Sequence, residues 1–338
     1  MLSAQAPGKI IITGEHAVVY GAPALVCAVP RYTTVSYQPH PQNHLDTLLT
    51  GISRARYPLS ALKSLKHKLD KRFEAFLRGD LPVQHILHRP DDLLAYTLAS
   101  LARKVANHLP LPYSGKLHTQ SALPLGAGMG SSAAAIAATL VLTEHLLQSP
   151  LSLEERFEHV RFCERLQHGK GSAIDAAAVV FGGLQKLENG ERQSASFSLN
   201  EHWYYWLDGI PQASTGECVA QVRAQFGQDK ALWQSFETII NELLQTLTQG
   251  NNPQSALREN QKLLQHIGVV PEATAKCIAN IEASGGAAKI SGAGSVRGNF
   301  GGILLIYHEN PEALAKLIPP KALWGKLTPT EYGAQLIT

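Results

Sequence analysis

The sequence predicts a two-domain chain that mixes strands and helices, and three observations carry that prediction. The chain has 338 residues, 44% of them hydrophobic and 17% charged, which is enough for two cores. Short β-branched runs and helical runs share the first half, whereas the second half sets helices before strands. Between the halves lies a charged turn, Asn189-Gly-Glu-Arg192, which divides the chain into segments 1–190 and 191–338.

A net charge of +3 is too small to indicate a nucleic-acid partner. The cysteines, Cys27, Cys163, Cys218 and Cys277, are far apart and form no C-x-x-C pair. They read as reduced thiols rather than a disulfide framework or a zinc site. Lys9, Glu15 and His16 break the N-terminal apolar stretch, so no signal peptide is expected. Ala17 to Val29 falls short of the ~20 residues of a membrane span. The expectation is a cytoplasmic protein without a membrane partner.

Taken in order, Pro7-Gly8 turns into a β-branched strand at Ile10, and a second turn at Gly14 leads to Ala17-Val-Val-Tyr20. Ala24 to Val29 is strand-like again. Lys9, Glu15 and His16 thus sit at strand ends and turns, where scaffolds present functional groups. From Arg54 to Arg78 there are eight Lys or Arg against two acids. Leu62, Leu65, Leu69, Phe73 and Phe76 recur there at helical spacing, which favours an amphipathic helix with a solvated basic face over a nucleic-acid patch. Asp91 to Leu109 is a second helix between Pro90 and Pro110, and Gly115 to Ser121 a strand.

That strand feeds the stretch around which the chain is organised, Pro124-Leu-Gly-Ala-Gly-Met-Gly-Ser-Ser-Ala133, followed by an Ala/Leu-rich helix. Gly126, Gly128 and Gly130 allow close approach of a ligand. Ser131 or Ser132 is expected to cap the helix, whose first-turn N–H groups and dipole favour an anion. The stretch lacks the Gly-Lys-Ser/Thr of a Walker loop and the spacing of a dinucleotide fingerprint.

Ser152-Leu-Glu-Glu155 is a capping box opening a helix that ends before Gly169. Its apolar stripe runs through Leu153, Phe157 and Val160, and the next position is Glu164. An acid there is costly unless paired or bound to a cation. In His168-Gly-Lys-Gly-Ser-Ala-Ile-Asp175, the aspartate stands before an uncharged run, as a helix cap or a chemical group. Leu184–Glu188, Ser194–Leu199 and Trp203–Leu207 read as strands. Trp233–Gln249, Pro253–Ile267 and Pro271–Ala283 read as helices. A strand from Ala287 leads into a second glycine loop with Gly292 and Gly294; Gly301–Tyr307 is a strand and Pro311–Ile318 a helix.

Phosphoryl transfer requires a phosphate cradle, Mg²⁺ held by a hydroxyl and an acid, a cation, and a group that prepares the nucleophile. The sequence offers Pro124, Gly126, Gly128, Met129, Gly130, Ser131 and Ser132 as cradle, Ser132 with Glu164 for Mg²⁺, Lys9 as cation and Asp175 as base.

Three motifs resemble those of the GHMP small-molecule kinase superfamily, in that family's order and over nearly the whole chain. They are A-P-G-K-I-I-I-T-G-E-H-A-V-V-Y-G at 6–21, P-L-G-A-G-M-G-S-S-A at 124–133 and K-I-S-G-A-G at 289–294. Met129 replaces the usual Leu. The resemblance implies an α+β pair, an N-terminal domain with a left-handed β-α-β unit and a ferredoxin-like C-terminal domain, with the site between them. It implies ATP as donor, with Gly292 and Gly294 joining the first loop on the nucleotide side. It places Mg²⁺ on Ser132 and Glu164, makes Asp175 the catalytic carboxylate beside Lys9, and puts Glu15, His16 and Thr215 on the acceptor side. Glu15-His16 is the form of a branch that acts on an unphosphorylated small alcohol, whereas a sister branch with a phosphorylated acceptor more often shows Glu-Tyr.

Departures fall mainly near the acceptor. Lys170 replaces the family's Asn, the third loop reads Gly292-Ala-Gly-Ser-Val-Arg-Gly298 with Arg297 added, and Gln212 stands where many members carry Arg. The alternatives are a kinase for a phosphorylated or other small alcohol, and a non-catalytic sensor of the same fold. Retention of Asp175 argues against the sensor, since binding alone does not need it. Homodimerisation is left open.

Overall fold

A computed structural model describes residues 1–106 and 114–337 of the chain. The chain opens with β1 (Leu2–Thr13) and β2 (Ala24–Pro39), paired antiparallel, with Lys9 opposite Ala28. A hairpin of β3 (His44–Leu49) and β4 (Ser53–Pro58) leads to helices α1 (Leu62–Leu77) and α2 (Asp91–Ala106). Then come β5 (Gly115–Ser121), α3 (Ser131–Leu146), α4 (Leu153–His168), α5 (Ala173–Phe181), β6 (Leu184–Glu188) and β7 (Glu191–Ser194).

The second part runs β8 (Trp203–Leu207), α6 (Thr215–Phe226), α7 (Lys230–Thr248), α8 (Gln254–His266), α9 (Glu272–Ala283), β9 (Ala287–Ser291), β10 (Ile303–Tyr307), α10 (Pro311–Leu317) and β11 (Trp324–Lys326). A last strand, β12 (Gln335–Ile337), returns to the first sheet and pairs with Ser3–Gln5.

The large sheet has the order β12-β1-β2-β5-β3-β4, with β6 on the first residues of β2 and β7 beyond it. The small sheet has the order β11-β8-β10-β9 with every neighbour antiparallel. Read with its helices, that is a β-α-β-β-α-β unit in which β10 is inserted between β8 and β9, the ferredoxin-like arrangement. The fold class is therefore the expected α+β with two sheets.

Burial explains why the sheets stand where they do. Ile10 and Ile12 of β1 and Leu25, Val26 and Cys27 of β2 are fully buried, each large apolar side chain contributing roughly 1.5–3 kcal/mol. Helix α3 lies on β1 and β2 and is wrapped by α2, α4 and α5. Small residues, Ala133, Ala134, Ala137 and Ala138, let it approach closely, and all are buried. Its inward threonines donate back along the helix, Thr139 Oγ1 to the Ala135 carbonyl at 2.7 Å and Thr143 Oγ1 to that of Thr139 at 2.6 Å, so no hydroxyl is left orphaned.

Several expectations shift. Asn189-Gly190 is a hairpin turn between β6 and β7, both residues having positive φ (52° and 83°), as a two-residue Asn-Gly turn requires. The 190/191 division therefore falls inside a hairpin of the large sheet. Ser194–Leu199 does not form a strand: β7 ends at Ser194 and the chain runs irregularly to β8. The end of the helix expected to reach Leu109 lies outside the described residues. No described helix is long and apolar enough to cross a membrane.

Candidate active site

The two sheets meet at the end of β1. The Ile11 amide donates to Ser291 Oγ at 2.8 Å, Thr13 Oγ1 to Asn260 Oδ1 at 3.3 Å, and the Lys289 ammonium to the Glu15 carboxylate. These contacts bring both glycine loops to one place, since a Cβ on Gly292 would sit 3.8 Å from the Gly128 Cα.

The first loop is tied down by the Lys9 amide, which donates to the Met129 carbonyl at 3.0 Å. Met129 itself is buried in the core, while Pro124 is half-buried. Gly126, Gly128 and Gly130 all have left-handed φ (70°, 86° and 74°). Gly130, not Ser131 or Ser132, is the N-cap of α3, and no side chain caps that end. The serines are the first helical residues because the left-handed turn needs a glycine at the boundary. The consequence is favourable for a ligand: the first-turn N–H groups are not consumed by a side-chain cap and can receive an anion. A Cβ on Gly130 would lie 3.0 Å from the Lys9 Cγ, and one on Gly128 3.3 Å from the Ser291 carbonyl. Packing also demands a glycine at 294, because a Cβ there would strike the Val269 carbonyl at 2.1 Å.

Lys9 Nζ lies 2.8 Å from Asp175 Oδ1. The alternative of Asp175 as a cap is resolved by its neighbour: Ser172 is the N-cap of α5 and accepts from the Asp175 amide at 3.2 Å. Asp175 thus stands in the first turn with its carboxylate turned to Lys9.

Glu164, on the inward stripe of α4, is 0% exposed. It accepts from Ser132 Oγ at 3.2 Å and from the Ser172 amide at 3.1 Å. Burial above all, and then the negative charge of Asp175, pushes its carboxyl from 4.5 up to about 8. Among the described residues no Lys or Arg lies within ion-pair reach of it; His168 Nε2 is 3.9 Å away. His168 Nε2 also stands 3.4 Å from Ser132 Oγ. A buried carboxylate facing a hydroxyl, beside a second carboxylate and with no Lys or Arg of its own among the described residues, fits a hard divalent ion with oxygen ligands.

On the acceptor side, His16 is buried with an unusual φ of 56°, and its Nε2 donates to the Ala293 carbonyl at 3.1 Å. Burial lowers its imidazole to about 4, so it is neutral and presents Nδ1 as an acceptor. Glu15 goes to Lys289 instead of lining an open pocket: both side chains are essentially inaccessible. Thr215 is exposed at the first turn of α6. Arg297 is paired at the surface with Glu217 at 3.3 Å, and exposed Lys170 has no ion-pair partner among the described residues.

Sequence reasoning missed Lys289 as the partner of Glu15, although the lysine opens the third motif. It also missed Asn260 and Gln261, buried on α8, where Gln261 Oε1 accepts from the Ile290 amide at 3.1 Å. A polar pair on the inward face of a helix is the signal that could have found them.

A phosphate-ready helix start, a cationic lysine on a carboxylate, and a buried acid facing a serine define a small-molecule phosphotransferase. Residues 94–183 match the family model of the GHMP kinases N terminal domain. The chain is similar to the mevalonate kinase of Archaeoglobus fulgidus, 27% identical over 323 residues covering 94% of this chain and 97% of that one. It is also similar to the mevalonate kinase of Homo sapiens, 31% identical over 224 residues, an alignment covering 57% of this chain and 55% of the human protein. The crystal structure of L. major mevalonate kinase in complex with R-mevalonate superposes with a TM-score of 0.67 at 22% identity, covering 98% of this chain and 96% of that one.

Proposed function

We propose that the protein phosphorylates the 5-hydroxyl of mevalonate, with ATP as donor and Mg²⁺ as the metal. The observation that carries this reading is the Lys9–Asp175 pair at 2.8 Å, set beside an uncapped helix start and a buried Glu164. Ser132 Oγ and Glu164 would hold Mg²⁺, which supplies charge neutralisation for the phosphates.

The chain's own residues do the rest. The glycine loop and the first-turn N–H groups of α3 orient the donor phosphates, with Gly292 of the second loop alongside. Asp175 orients the acceptor hydroxyl and takes its proton at a carboxylate oxygen. Lys9 Nζ fixes Asp175 Oδ1 and offsets charge on the transferring group. His16 and Thr215 contact the acceptor, and Glu15 positions His16 through its pair with Lys289.

The full-length similarity to a mevalonate kinase and the Glu15-His16 motif both support unphosphorylated mevalonate. Arg297, already paired with Glu217, gives little support to a phosphorylated acceptor. The test is an ADP-release assay with mevalonate, phosphomevalonate and other small alcohols, with phosphorus NMR of the product. A monoester at carbon 5 is expected; a diphosphate, a monoester at carbon 3 or no turnover overturns the reading.

A further inference from the structure

His40 and His44 flank the turn from β2 to β3, and Asp46 follows on β3. In β3 the side chains of Leu45 and Thr47 are buried, so strand alternation puts His44 and Asp46 together on the opposite face. His40 reaches the same spot from the end of β2, where its amide donates to the Ser114 carbonyl at 3.3 Å and its own carbonyl accepts from Ser114 Oγ at 2.6 Å.

The three side chains converge. His44 Nε2 lies 3.2 Å and His40 Nε2 3.7 Å from the same oxygen, Asp46 Oδ2. The imidazole rings are 4.6 Å apart between centroids, and the three ligand atoms all lie within 4.8 Å of one another. Tetrahedral coordination with metal–nitrogen bonds of about 2.0–2.1 Å needs ligand atoms about 3.3 Å apart, so a small adjustment of His40 closes the set. Both ring nitrogens of His40 are buried without a hydrogen-bond partner, an arrangement that needs a physical reason in a native structure.

We propose that His40, His44 and Asp46 form a binding site for a borderline divalent transition-metal ion, Zn²⁺, separate from the catalytic Mg²⁺ site. Two imidazoles and one carboxylate select Zn²⁺ over Mg²⁺, which prefers oxygen ligands. Water completes the fourth position. Arg56, the cross-strand partner of Asp46, donates to Oδ1 at 2.7 Å and to Oδ2 at 3.3 Å. The short bond to Oδ1 remains as the outer-shell support that fixes a ligating carboxylate, and the longer one yields to the ion. The Arg56 hydrogen bond also holds the Asp46 carboxyl below its usual range. Bound there, the ion clips the β2–β3 turn. Lys9 pairs with the opposite end of β2, at Ala28, roughly 40 Å of extended strand from His40, so the site stabilises without touching the chemistry.

The test titrates EDTA-stripped full-length protein with Zn²⁺ by calorimetry, and with Co²⁺ by visible absorption. Wild type is expected to bind one equivalent, to gain thermal stability in Zn²⁺, and to show the intense d–d bands of tetrahedral Co²⁺. Glu164→Gln keeps this binding, which separates it from the catalytic metal. The double variant His40→Ala/His44→Ala loses it while keeping turnover in Mg²⁺. Should that variant fold poorly, Asp46→Asn weakens binding by more than about tenfold. Absence of Zn²⁺ binding in wild type, or unchanged binding in the histidine and aspartate variants, overturns the proposal.

Discussion

At the scale of single residues, the site turns on two acids with different environments. Asp175 sits in the first turn of α5 against Lys9, and Ser172 already caps that helix. Asp175→Asn should therefore leave folding and nucleotide affinity near wild type while turnover falls ~10²–10⁴-fold, the scale of general base catalysis. Steady-state rates beside a thermal melt check this; a variant of normal rate would remove Asp175 from the chemistry. Glu164 is the opposite case, a buried carboxyl raised from 4.5 to about 8. A carboxyl whose folded value is raised binds its proton more tightly in the native state, so stability falls as pH rises through that window. In EDTA, wild type should lose a few kcal/mol relative to Glu164→Gln between about pH 4.5 and pH 8 and level off above. Mg²⁺ should restore the wild type alone, since the variant lacks the anionic ligand. Urea titrations at several pH values with and without Mg²⁺ decide it; parallel curves would make Glu164 purely structural.

At the scale of elements, the start of α3 is governed by backbone conformation. Gly130 needs a left-handed φ and stands against Lys9, so Gly130→Ala should cost ~1–2 kcal/mol from strain alone and should also displace the lysine. Gly190 has a similar φ of 83° but no atom near its missing Cβ. Gly190→Ala should thus lose comparable stability and keep its turnover, whereas Gly130→Ala should lose at least tenfold in rate, as a shift of a positioned group does. Equal rates in the two variants would refute a positioning role for that turn. The same element explains what could be read from the chain. Glu164 was legible because a charge interrupted a 3.6-residue stripe, and α4 because its capping box is written in the sequence. The β3–β4 hairpin was not legible, since its alternation is short and crowded with polar residues, and α6 was passed over although Ser214 and Glu217 form a capping box. The cap of α3 was misread because serine preference at that position yields to a glycine that the loop's φ demands.

At the scale of the molecule, the two sheets are joined through a buried ion pair. Glu15 and Lys289 are both almost wholly inaccessible, and removing one partner of such a pair costs about 3–5 kcal/mol. Glu15→Gln should destabilise by that order in urea, and adding Lys289→Met should recover most of it, the non-additivity measuring the coupling. Additive losses would show that the pair does not join the sheets energetically. The partnership could not be read from the sequence because 274 residues separate its members. A comparable separation governs β12, which pairs with Ser3–Gln5. On the ribosome, the outer edge of the first strand therefore waits for residues some 330 positions later, a delay of tens of seconds at about 5–20 residues per second. Throughout that interval the strand offers unpaired amides and carbonyls to any passing extended chain, so synthesis rate and chaperone supply should govern the yield of this protein more than its final stability does.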